Sequence, residues 1–169
     1  MPNPKQILVA IDDFQRAKHL IDYVGELAGG HDDFKIHLFH ATGPLPPQLL
    51  ESRGAEGSAT EQHVEQTQVR QQENWFDRTS DKIAPQLASQ KSRLMAANVP
   101  GSEIETHLIL LNQRQDLLAE IVKAARENDC GTIVVGYNSY PWIKEQFHTH
   151  ISEQLVSESS DVAVCVVIQ

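Results

Sequence analysis

Ile7-Leu8-Val9-Ala10-Ile11 runs directly into Asp12-Asp13. A short, partly β-branched run with no polar residue at alternate positions marks a strand covered on both faces, and such strands belong to parallel sheets. Downstream, Ala17, Leu20, Ile21, Val24, Leu27 and Ala28 recur at helical spacing, and Gly29-Gly30 supplies the left-handed stop past a helix end. A helix is therefore expected from about Gln15 to Ala28. Lys35 to Ala41 reads as a second strand, closed by Gly43-Pro44 and Pro46-Pro47, which cannot continue a ladder.

Beyond this unit, Leu49 to about Thr60 turns to Gly, Ser, Glu and Ala and reads as a surface loop inside a polar insert spanning about 44–73. From Glu61 to Asn98, Val64, Trp75, Phe76, Ile83, Leu87, Leu94 and Met95 follow a helical pattern interrupted at Pro85. Proline removes a donor and clashes with the preceding turn, so two helices or one kinked helix are expected. Glu103 to Leu111 is a third strand, and Leu117, Leu118, Ile121, Val122 and Ala125 mark another amphipathic helix with Asn112 or Asp116 as its candidate cap. Thr132 to Gly136 is a fourth strand, Tyr137 to His148 a loop, Ile151 to Glu158 a short helix and Val162 to Ile168 a fifth strand.

Strand and helix thus alternate throughout, which predicts an α/β fold: a parallel sheet with helices on both faces, joined by right-handed crossovers. With 169 residues and 40% hydrophobic content, the chain supports one core, so residues 1–169 are expected to form a single domain. The net charge of −9, with no run of Lys and Arg, excludes nucleic acid and anionic membrane surfaces as partners. No window approaches a membrane span, and no basic stretch precedes a signal-length apolar region, so a cytoplasmic protein is expected. Cys130 and Cys165, each among strand-forming apolar residues, read as reduced, packed thiols.

Three segments, Ile7 to Asp12, Leu117 to Gly136 and Gly136 to Ile168, together resemble the universal stress protein family in order and spacing. The resemblance implies an open five-stranded parallel sheet of order 3-2-1-4-5, of the adenine nucleotide alpha hydrolase-like kind. Its ligand crevice lies outside the carboxyl ends of the strands where the winding reverses, which brings Asp12 and Gly136 together. Members that bind ATP use a Gly-x-x-Gly loop, then nine residues, then Gly-Ser or Gly-Thr, because bare backbone amides approach phosphate closely. Here the corresponding residues are Gly136-Tyr137-Asn138-Ser139, then Tyr140 to His148, then Thr149-His150.

One glycine of the three survives. Ser139 adds a side chain where a left-handed backbone is expected, Thr149 and His150 fill the helix start, and Pro141 lacks an amide hydrogen. Against this, Ser139, Thr149 and His150 can hydrogen-bond a phosphate and Lys144 offers a counter-charge. The resemblance also places Asp12 against an adenosine, with Ala10 and Ala41 near the base. The other reading of Asp12 is a helix-entry cap.

The candidate binding residues are thus Ala10, Asp12, Ala41, Gly136, Ser139, Thr149 and His150. No cofactor is required, and ATP is the one the resemblance allows. His40, His148 and His150 lack a completing carboxylate or thiol, so no metal ligand is assigned. Tyr140 and Trp142 are placed to plug the crevice or to stack on a small ligand. No nucleophile, acid–base pair or redox motif stands out, so no catalysis is expected.

Two functions follow: a non-enzymatic stress-response protein that binds other proteins or small ligands, or an adenine-nucleotide signalling module. Val162 to Ile168 is almost wholly apolar and should form a sheet edge, which needs a cover. Universal stress proteins pair their last strands antiparallel, which implies a homodimer through Val162 to Ile168, with Val164 and Val166 at the seam.

Overall fold

The computed structural model describes residues 1–43, 45–50, 58–111, 116–141, 144 and 150–168. Five strands, β1 (Asn3–Ile11), β2 (Lys35–Thr42), β3 (Ile104–Leu110), β4 (Cys130–Gly136) and β5 (Ala163–Val167), form one sheet of order β3-β2-β1-β4-β5. Every neighbouring pair is parallel, with Ala10 opposite Phe39 on one side and opposite Val135 on the other.

The uninterrupted apolar run of β1 serves two cores. Ile7, Val9 and Ile11 pack with Leu20, Ile21 and Val24 of α1 (Lys18–Ala28) and with Leu87 and Leu94 of α3 (Ser58–Ala96). Leu8 and Ala10 face the opposite way, toward Leu117, Ile121 and Ala125 of α4 (Leu117–Glu127) and Ile151 and Leu155 of α5 (Ile151–Glu158). Period-two alternation sends successive side chains to opposite faces, and both faces are covered by helices.

The helix starts and stops depart from the sequence reading in detail. α1 begins at Lys18 rather than Gln15, because Asp13 organises the preceding turn: its Oδ1 accepts the Gln15 amide at 2.8 Å and its carbonyl the Ala17 amide at 2.9 Å. At the other end only Gly30 is left-handed (φ 77°); Gly29 is required because a Cβ there would run into the Ala97 carbonyl. Asp116 makes no side-chain cap to α4, and Asn112 lies outside the described residues.

The expected surface loop from Leu49 to Thr60 is corrected at both ends: α2 (Pro47–Leu50) precedes it, and α3 already starts at Ser58. The Glu- and Gln-rich stretch has strong intrinsic helix preference despite its lack of an apolar stripe. The side-chain amides of Gln68 and Gln72 donate to the Leu49 carbonyl at 3.0 and 2.9 Å and tie α2 to α3. α3 is one 39-residue helix with Pro85 inside it, not two. Its buried side chains among those described are Leu87, Gln90 and Leu94, all in the last third. Among the described residues no helix is long and apolar enough to cross a membrane.

Candidate functional site

The crevice forms where β1 and β4, neighbours in the sheet, release their chains in opposite directions: to α1 on one face and toward α5 on the other. Asp12 follows the last residue of β1, and its side chain is 9% exposed. Its Oδ2 accepts two hydrogen bonds, from the Tyr140 amide at 2.9 Å and from Arg16 Nη2 at 2.8 Å. The cap reading of Asp12 is thereby corrected, since the helix-entry turn is held by Asp13 and Asp12 reaches across to the β4 loop.

That loop turns tightly after β4. The Ser139 amide donates to the Gly136 carbonyl at 3.0 Å, and the Tyr137 amide donates to the Val167 carbonyl at 2.8 Å. The left-handed residue expected at Ser139 is instead Tyr140, at φ 54°. Such a conformation costs a bulky L-residue on the order of 1–2 kcal/mol. It is held by the bond to Asp12 and by burial: Tyr140 is 4% exposed and belongs to the same packed cluster as Ala10, Ala41, Leu111 and Leu117. The two small residues expected beside a base thus share their core with an aromatic ring from the chain itself.

Arg16 was not singled out from the sequence. Besides Asp12, its Nε meets Asp13 Oδ2 at 3.3 Å and its Nη1 the Asn138 carbonyl at 3.5 Å, so one guanidinium joins the β1 and β4 loops. The four-residue spacing from Asp12 was the available signal. Arg16, Asn138, Ser139, Tyr140, Pro141, Lys144 and His150 line a pocket of about 260 Å³. Ser139 Oγ is buried there with no hydrogen-bond partner among the described residues.

His150 precedes α5; its amide donates to Glu153 Oε2 at 3.4 Å and its ring stacks on Tyr137 with centroids 4.3 Å apart. Thr149, with His148 and Trp142, lies outside the described residues. His40 is turned away from His150's role: its Nδ1–H donates to the Ile11 carbonyl at 2.8 Å, and Phe14 lies over the ring at 4.7 Å. Burial lowers the His40 pKa from its ordinary value, outweighing the opposing pull of that carbonyl and of Asp12. Gly136, Ser139, Asp12 and His150 therefore surround one crevice end, while Ala10 and Ala41 lie beneath it in the core.

The universal stress protein family model matches residues 3–167. The chain belongs to the universal stress protein family. Solved universal stress proteins share the fold at low identity. One in complex with cAMP is 15% identical with a TM-score of 0.61, covering 96% of this chain and 95% of the other. One from Archaeoglobus fulgidus in complex with dAMP is 16% identical with a TM-score of 0.55, covering 98% of each chain. A family member from Burkholderia pseudomallei is 19% identical with a TM-score of 0.56, covering 97% and 96%. A search of curated proteins by sequence found no match.

Proposed function

We propose that this universal stress protein is a non-enzymatic, cytoplasmic stress-response protein that works as a homodimer by binding proteins or small ligands. In this reading the family's nucleotide crevice is occupied by the protein's own Tyr140. The observation that carries it is the double use of Asp12 Oδ2 by the Tyr140 amide and Arg16. Those two bonds fix Asp12 against the Tyr140 backbone and Arg16, so a ribose hydroxyl has only Oδ1 left to donate to. Two of the three phosphate-loop glycines are replaced, which further weakens a backbone cradle.

A second reading, an adenine-nucleotide signalling module, is supported by a specific feature. Arg16, Lys144 and His150 line one pocket together with Ser139, a donor set suited to a phosphate. The solved relatives in complex with cAMP and dAMP favour the same reading. Calorimetric titration with ATP and magnesium, beside mass spectrometry of anything released on denaturation, separates the two. The first predicts no heat, no released nucleotide and an unchanged melting temperature. Saturable binding that Gly136→Trp abolishes would instead establish the nucleotide module.

A further inference from the structure

At the other end of the sheet from the crevice, the parallel register of β2 and β3 sets His37 opposite Glu105 and Phe39 opposite His107. Residues two apart on a strand share a face, so His37, Glu105 and His107 project to the same side. Their side chains converge. His37 Nδ1 lies 2.9 Å from His107 Nε2 and 3.5 Å from Glu105 Oε2, and the latter two atoms are 3.9 Å apart. Among the described residues this trio is the group whose ligand atoms lie close enough to hold a metal ion.

A tetrahedral ion with bonds of about 2.0–2.1 Å places its ligand atoms about 3.3 Å apart, and the three distances straddle that value. His37 is 1% exposed, while the His107 and Glu105 side chains are 28% and 44% exposed, so the open side of the triangle faces solvent. Lys35 Nζ holds the other carboxylate oxygen, Oε1, at 2.7 Å. That contact orients Glu105 and leaves Oε2 for the cation, as an outer partner of a metal ligand commonly does. One carboxylate balanced by one ammonium leaves little net charge for a hard cation such as Mg²⁺ or Ca²⁺, which want several oxygens. Two imidazoles and one carboxylate suit a borderline transition cation.

We propose that His37 Nδ1, His107 Nε2 and Glu105 Oε2 bind a zinc-class divalent cation, with water in the fourth position, pinning edge strand β3 to β2. The facing imidazole nitrogens share one proton when the site is empty. Entry of the cation moves that proton to the other nitrogen of its ring, so the loaded site carries protons on His37 Nε2 and His107 Nδ1.

The test uses the full chain after chelator treatment, titrated with zinc chloride by calorimetry and with Co²⁺ by visible absorption. One ion per chain, a raised melting temperature and Co²⁺ bands of four- or five-coordinate intensity are expected. His107→Ala, at a half-buried position, and Glu105→Gln, at an exposed one, both outside the buried core, should each weaken binding at least tenfold. His150→Ala should leave it unchanged, which separates this site from the crevice. Absence of saturable binding, binding that survives His107→Ala, or binding lost in His150→Ala overturns the proposal.

Discussion

Asp12 and Tyr140 meet across 128 residues of sequence, and the proposed reading of the crevice rests on this contact. Replacing Tyr140 with glycine removes the buried ring and relieves the left-handed backbone. The lost packing costs about 3–5 kcal/mol, offset by about 1 kcal/mol of relieved strain. If Tyr140 is the plug, calorimetry on Tyr140→Gly should show adenine-nucleotide affinity at least tenfold above the parent; a folded variant with no gain would mean the ring does not guard that space. His40 makes a second residue-scale prediction. Its folded pKa lies below the ordinary 6.5, mainly because it is buried, so below about pH 6.5 the unfolded chain binds more protons than the native one. Stability from this residue is fully present above that pH and declines as the pH falls, by at most about 1.4 kcal/mol per pH unit. Denaturant midpoints measured with chelator present should fall less steeply between pH 6.5 and 5 in His40→Gln than in the parent; equal slopes would remove His40 from the account. That Asp12, Gly136, Ser139 and His150 lie together at one crevice end was legible from the family resemblance, which places Asp12 at the end of the first strand and the others by a motif's spacing. Arg16 was passed over although its four-residue spacing from Asp12 hinted at the pair, and the His37–Glu105–His107 group was not legible because the pairing of strands about 70 residues apart is not written in local pattern.

Among the elements, the strands were readable because the β1 and β4 runs are apolar without alternation, which only a doubly covered parallel strand needs; their order was implied by the family resemblance and is the order observed. α3 was read less well. The spacing of Val64, Trp75 and Phe76 announced a helix from Glu61, but its start at Ser58 was read as loop, and Pro85 left two helices or one kinked helix open where a single 39-residue helix forms. Among the described residues its buried side chains lie in the last third: Leu87 and Leu94 are buried, and Arg93 Nε meets Asp22 of α1 at 2.8 Å. Val69, by contrast, is 51% exposed. Leu94→Ala should therefore cost about 2–5 kcal/mol in denaturant unfolding, while Val69→Ala stays within about 0.5 kcal/mol. Amide exchange should be fast through residues 65–80 and slow through 87–94, since opening free energy follows local burial. Uniform protection along α3 would mean that its outer half is covered by something beyond this chain.

At the scale of the whole molecule, the sheet has two edges of different character. β3 carries Glu105, Thr106 and His107, polar groups that blunt an edge. β5 reads Ala163-Val164-Cys165-Val166-Val167, pairs with β4 on one side, and continues into Ile168, which is 83% exposed. Val164 packs toward the α4–α5 core, Cys165 and Val167 toward the α1–α3 core, and Val166 remains 38% exposed. An apolar edge with its outer ladder open is an efficient template for another strand, and two copies joined antiparallel across a two-fold axis satisfy both edges at once. Light scattering behind size exclusion should accordingly give twice the 18.9 kDa chain mass for the parent. Val166→Lys puts two like charges near the axis, where directly opposed charges repel, and should yield a monomer with unchanged far-ultraviolet circular dichroism. A parent that runs as a monomer at tens of micromolar would refute the shared sheet. A Val166→Lys variant that remains a dimer would move the interface elsewhere.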